Sequence, residues 1–469
     1  MFGKIIGGSS GDGSRRGRIV ILILALVLVV ALIAAAVISA FMNNTGEMTT
    51  REDIEARLAE LGASDLGHTY VANHLLEFGF GGFDASRLRN VEFYFNTKYA
   101  GELPSIPDMA YEAATLFMEH YFDRIDKSDR ETLTTAIIHC YVEATGDDYA
   151  VYRLPEELEE FTGDMSGSFV GIGVSVLQTE DPVTGKLTDV VVESVMPGSG
   201  ALDAGVLPGD RIIAVDGTPV YDCSSSQLVS MIRGEVGSRV VITVSREGET
   251  IDITCERRKI VESTVEWTVD DGIGYITITS FKSNTDELFE EALAYMYTMQ
   301  VDGIVFDLRS NPGGYLDAVL NVLDTMVGAE TVLASYVDAN DAEVVYKSTG
   351  RGVPLGVPAV VICNEYTASA GELFTAAMRD YNAMGILDAK IVGTTSYGKG
   401  IMQSTYSFFD GSSITLTSAF YNPPSGVNYH GIGIIPEYFV EESDEGDAQL
   451  DAAVDVLNRM IAESGGTTI

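Results

Sequence analysis

The chain has 469 residues, 46% of them hydrophobic, and carries 69 acidic against 29 basic side chains for a net charge of −40. That length exceeds one ordinary domain, and the apolar content is ample for packed cores. The charge excludes nucleic acid as a partner, because a duplex-binding face needs clustered Lys and Arg to displace counterions.

Residues 1–18 form a basic segment with Arg15, Arg16 and Arg18 at its end. The uncharged run Ile19–Met42 that follows is long enough to predict one transmembrane helix. The positive-inside rule then places the N-terminus in the cytoplasm and everything after about Asn43 outside, as a single-pass protein of the cell membrane. A cleaved signal peptide would have a shorter apolar region, about 7 to 15 residues.

Residues 43–162 read as helical, with apolar residues at helical spacing in Arg51–Leu58 and Leu133–Val142. His68, His74, His120 and His139 fall here without HExxH or paired ligand spacing, so no metal is expected. Over 163–259 the pattern changes to short β-rich runs broken by glycine, with a helix-like stretch from Ser226 to Ile232. Residues 260–440 alternate strand and helix patterns and predict an α/β core. The end, 441–469, is an acidic, solvated linker leading into an amphipathic helix over Ala448–Ile461, suited to packing on the body or on a second copy in a homodimer. Cys140, Cys255 and Cys363 lie in apolar or strand-like runs that suit buried thiols, and with Cys223 show no CxxC spacing. An exported chain could instead bridge two of them.

Within the α/β region, Thr367-Ala368-Ser369-Ala370-Gly371-Glu372 follows the apolar run Ala359–Cys363 and precedes a helix-like stretch. Ser369 should therefore sit at a strand-to-helix turn, where an exposed nucleophile belongs. A serine hydroxyl needs a base, and a lysine can serve once desolvation lowers its pKa from about 10.4 toward neutrality. Lys399, between two glycines, fits that role, and Gln403 stands four positions later, where it could hydrogen-bond the lysine. Two rivals exist. Ser396-Tyr397-Gly398-Lys399 has S-x-x-K spacing, but it is a poor helix start and lacks a K-T-G partner. A Ser-His-acid triad would have to use His430, the only histidine of this region, and would want Gly where Thr367 stands. Alone, Asp307-Leu308-Arg309-Ser310-Asn311-Pro312-Gly313-Gly314 reads as a strand-ending turn.

Together, Asp307–Gly314, the Ser369 turn, Gly398-Lys399-Gly400-x-x-Gln403 and Gly431-Ile432-Gly433-Ile434-Ile435-Pro436 occur in the order that resembles the C-terminal processing (tail-specific) serine peptidases. The likeness extends back through Gly205–Arg211 and Phe169–Gly173, a segment that resembles a PDZ domain. It implies a multidomain α/β (α+β) fold with a Ser-Lys peptidase core and no cofactor. It also implies that Gln403 orients Lys399, that backbone N–H groups of Gly314 and Ala370 form the oxyanion hole, and that the substrates are proteins or peptides with exposed C-termini. The PDZ segment would hold a terminal carboxylate on Phe169, Val170, Gly171, Ile172 and Gly173, with Leu228, Met231 and Ile232 lining an apolar pocket. Where many members read Ser-Ala-Ser-Ala-Ser-Glu, this chain has Thr367 and Gly371, and it is longer around Tyr381–Asp388, a change that could alter the substrate tunnel or PDZ docking. The rival implication is a membrane-tethered PDZ adaptor with an inactive core.

Overall fold

A computed structural model describes residues 50–61, 69–180, 187–338, 343–352, 354–443 and 446–464, and the chain divides into two units, 1–152 and 153–469. The first contributes helices Arg51–Leu61, Val71–Phe78, Ala85–Lys98, Ile106–His120 and Arg130–Ala144. Their starts follow from side-chain caps: Asp84, Ser105 and Asp129 accept from the amides of the first turn of the helices they precede. Phe78, Phe95, Phe117 and Tyr141 fill the interior. One carboxyl is buried with them: Glu92 accepts from the Ala72 amide at 2.8 Å. Desolvation raises its pKa to about 7.

The second unit opens with a PDZ-like sheet of strand order Val174–Glu180, Leu187–Val195, Arg211–Val215, Arg239–Arg246, Glu249–Glu256, with antiparallel neighbours throughout. Val174–Glu180 is an edge strand. Ile212, Val215, Val240, Ile242 and Val244 alternate into the core, as a half-buried sheet requires. In the Gly205–Arg211 motif, Asp210 is 1% exposed and is gripped by Arg246 at 2.6 and 2.7 Å. A short ladder of Ser168–Gly171 with Arg258–Val261 joins this domain to the core.

The core carries a sheet ordered Val265–Asp270, Ile273–Ile278, Gly303–Asp307, Ala359–Cys363, Ala389–Gly393, Tyr438–Phe439, parallel except for its first pair. Its central strands are apolar on both faces because both are covered. Val361 and Cys363 pack with helices Thr285–Met299, Leu316–Met326 and Ala370–Ala383, whereas Val360 and Ile362 meet Ala453, Val456, Leu457 and Met460 of the C-terminal helix Ala448–Glu463. A Cβ on Gly303 would come within 2.8 Å of Leu457 Cδ1, so the absence of a side chain there lets this helix settle. The helix's apolar face is thus used within the chain itself. A second sheet places Ser413–Asn422 between Ile401–Ser407 and Val332–Asp338.

The expected transmembrane helix must be corrected. Among the described residues no helix is long and apolar enough to cross a membrane. The longest, Ala448–Glu463, has 16 residues and carries Asp451, Asp455 and Arg459, against about 20 apolar residues needed for a span. The run 19–42 lies outside the described residues. Over the described residues the fold class is a mixed α/β multidomain protein with no membrane-spanning helix, and the membrane localisation that rested on one is withdrawn.

Candidate active site

Strand Ala359–Cys363 delivers the chain to a turn that starts helix Ala370–Ala383, with Ser369 at its N-cap. Ser369 adopts φ 54° and ψ −117°, a region that non-glycine residues rarely occupy. Surrounding hydrogen bonds hold this geometry. Thr367 Oγ1 donates to the Leu308 carbonyl at 2.8 Å, and the Ala368 amide donates to the Asn311 carbonyl at 2.8 Å. Asn364, 1% exposed, accepts from the amides of both Ser310 and Tyr366 through Oδ1. The Ser369 turn and the Asp307–Gly314 turn therefore form one body. The two departures at Thr367 and Gly371 are neighbours within it: a Cβ at 371 would lie 3.2 Å from the Thr367 methyl and 3.1 Å from the Asn311 carbonyl.

Gly313 and Gly314 sit against this turn. A Cβ on Gly313 would fall 2.6 Å from Ser369 Cβ and 2.8 Å from the Ala370 nitrogen. Gly314 has φ 144°, and a Cβ there would meet the Phe281 carbonyl at 2.0 Å. Both positions thus require glycine. Ala370 is the first helical residue, so its N–H is among those without an intrahelical partner.

Lys399 lies on the loop before strand Ile401–Ser407, with its Nζ donating to Gln403 Oε1 at 2.7 Å. The pairing foreseen for these two residues is present. What sequence reasoning missed is the part played by Glu372. This fully buried carboxylate accepts from the Ser369 amide (2.9 Å), the Gly398 amide (2.6 Å), the Lys399 amide (2.7 Å) and the Ser396 hydroxyl (2.6 Å). The Ser369 turn and the Lys399 loop are tied to one side chain. Ser396 Oγ also accepts from the Ile434 amide at 2.6 Å, which binds in the Gly431–Pro436 motif and leaves that serine fully engaged rather than nucleophilic. Two more residues without a sequence signal bridge the same pair from behind. Tyr429 Oη donates to the Ser369 carbonyl and Tyr421 Oη to the Lys399 carbonyl, and the two hydroxyls are 3.1 Å apart. Burial pushes both phenols well above their usual range, so they remain neutral donors. His430 stacks edge-on against Phe420.

The residues expected to bind a C-terminus are partly rearranged. Phe169, Val170 and Gly171 are not an open loop: they pair with Ile260, Lys259 and Arg258. Ile172 and Leu228 are buried in the PDZ core, and Met231 and Ile232 of helix Ser225–Ile232 pack partly buried against it. Gly173, at φ 76°, turns the chain into the edge strand Val174–Glu180, and Ser225 Oγ at the helix start donates to Gln178 Oε1 on that strand. Arg257 fixes the helix's other end, donating to the Met231 and Ile232 carbonyls. The insertion at Tyr381–Asp388 lies at the far end of helix Ala370–Ala383, about 20 Å along its axis from Ser369. All four cysteines are buried and free. Among the described residues no group of His, Cys, Asp and Glu could hold a metal ion.

A serine held at a strained strand-to-helix turn, a lysine bonded to a glutamine and an adjoining PDZ-like domain form the arrangement against which known proteins are compared. Residues 272–440 match the model of peptidase family S41, and residues 170–256 match that of the PDZ domain. The chain therefore contains a region similar to the S41 peptidases beside one similar to PDZ domains. It is similar to a "probable CtpA-like serine protease" of Staphylococcus haemolyticus, 33% identical over 337 residues, which are 72% of this chain and 65% of that protein. A protein of the same description from Staphylococcus aureus is 31% identical over 68% of this chain and 62% of its own length. The chain thus spans a little under two thirds of the length of these relatives. The solved structure of a photosystem II D1 C-terminal processing protease aligns at 26% identity and a TM-score of 0.46, covering 83% of this chain and 98% of that one.

Proposed function

We propose that this chain is an endopeptidase in which Ser369 is the nucleophile and Lys399 its base, acting on proteins or peptides presented by their C-termini to the PDZ domain. The observation that carries the reading is the shared Glu372 carboxylate, which takes the amides of both Ser369 and Lys399 while Lys399 Nζ rests on Gln403. In this scheme neutral Lys399 removes the Ser369 proton as Oγ attacks the scissile carbonyl. The oxyanion is stabilised by the N–H groups of Gly314 and Ala370. The lysine then passes the proton to the leaving amine, and water, activated by the same amine, releases the acyl group. Gln403 holds the amine's orientation through both steps. For substrate delivery, the edge strand Val174–Glu180 offers unpaired backbone groups to which a chain end can add as a further strand beside helix Ser225–Ile232.

The test uses the full chain and an unfolded reporter ending in an apolar tail, with its C-terminus either free or amidated. The unchanged protein should cut the free-acid form faster than the amidated one, and Ser369→Ala should cut neither. Binding without cleavage by the unchanged protein would point to an adaptor with an inert core, and equal handling of both tails would remove terminal recognition.

A further inference from the structure

The acidic segment after the last core strand, read in sequence as a solvated linker, makes specific contacts at the base of the site. Arg309 follows the strand end at Asp307 and precedes Gly313 and Gly314. Its guanidinium binds Asp307 from Nε and Nη2, and reaches Asp447 at 2.7 Å from Nη1 and 2.9 Å from Nη2. Asp447 is in turn the N-cap of helix Ala448–Glu463, accepting from the Leu450 amide at 3.0 Å. Five residues earlier, Glu442 Oε1 accepts from Asn364 Nδ2 at 3.2 Å, and Asn364 is the side chain that joins the Ser310 turn to the nucleophile turn. Glu442 and Asp447 therefore each hold one arm of the site, and Asp447 is itself fixed at the start of the C-terminal helix that packs on the opposite face of the sheet.

We propose that Glu442 and Asp447 form a two-point strap that sets the position of the oxyanion turn, with Asp447 a positioning residue that acts through Arg309. The inference rests on the reading of Ser369 and Gly314 as parts of a peptidase site. Arg309 is fixed from two sides, by the strand end and by the strap, and with it the backbone that carries Gly313 and Gly314 toward Ser369. A bidentate carboxylate fixes the plane of a guanidinium as well as its distance. Losing one of the two carboxylates leaves the Arg309 guanidinium held at only one side.

Asn caps a helix about as well as Asp, so Asp447→Asn keeps the cap and removes the charge, whereas Asp447→Ala removes both. Two readouts are taken on the full chain: hydrogen exchange of the amides over 309–315, and kcat and KM on the reporter. In Asp447→Asn the 309–315 amides should exchange faster while those of Ala359–Cys363 are unchanged and the melting temperature is held. Its kcat should fall about tenfold at nearly constant KM, short of the hundredfold that ~1 Å misplacement can cost. Asp447→Glu should recover part of the loss. Unchanged exchange at 309–315 in Asp447→Asn overturns the proposal, as does a kcat loss that appears only in the alanine variant and tracks its melting temperature. Should the unchanged protein fail to cleave any reporter, the peptidase reading fails, and the exchange measurement alone still decides the strap.

Discussion

Glu372 shows how a single side chain can organise a site. Its two oxygens replace water for four donors from two chain segments, and each lost partner in a buried setting costs about 1–3 kcal/mol. Glu372→Gln keeps the size but replaces one acceptor oxygen with a donor that faces N–H and O–H groups. We expect it to lower kcat by about two orders of magnitude through misplacement of Ser369 against Lys399, with a reduced melting temperature; kinetics and calorimetry on the same preparation check this. Activity should also rise with pH, because only the neutral amine of Lys399 can accept the serine proton. A rate that is flat between about pH 5 and 9 would count against a lysine base. Ser369, Lys399 and Gln403 were legible in sequence because each belongs to a short local motif. Glu372 was visible only as a helix-start residue, since its partners at 396, 398 and 399 come from a loop that only the fold brings near.

At the scale of elements, two buried carboxylates with opposite shifts give opposite pH dependences. Arg246 beside Asp210 holds that carboxyl below its usual range, through hydrogen bonds first and charge second. Its contribution is present above the unfolded-state pKa of about 4 and is lost as pH falls through the lower folded value. Asp210→Ala removes the acceptor of both Arg246 and the Leu207 amide, so the PDZ sheet should unfold before the core, and thermal scans followed by domain-resolved exchange will show it. Glu92 behaves in reverse. Its carboxyl is raised by burial to about 7, so the folded helical unit holds a proton that the unfolded chain has released, and its stability falls as pH rises from about 4.5 to 7. Glu92→Gln keeps an acceptor for the Ala72 amide and should flatten that slope; stability that does not change between pH 5 and 8 in the unchanged protein would contradict it. Periodicity revealed the strands and helices of the core, whose apolar runs are covered on both faces. It could not reveal that Phe169–Gly171 pairs with Arg258–Ile260, because register across some ninety residues leaves no local mark.

For the whole molecule, changes in periodicity divide the chain into a helical region, a β-rich region and an α/β region, and the PDZ and S41 family models match 170–256 and 272–440. The described acidic residues after Glu437 are mostly exposed, as their charge suggests, but charge alone does not reveal that Glu442 and Asp447 also meet Asn364 and Arg309. The apolar run 19–42 stands outside the described fold. The account rests on Ser369 and Lys399 working as one unit, and residues that do so are not additive in their effects. The direct measurement is the cleavage rate of one unfolded reporter by the unchanged protein, Ser369→Ala, Lys399→Ala and the double variant at a single pH near 8. The account predicts that the unchanged protein cleaves and that all three variants fall to the same residual rate. Substantial cleavage by Lys399→Ala, or a double variant far slower than both single ones, would contradict it.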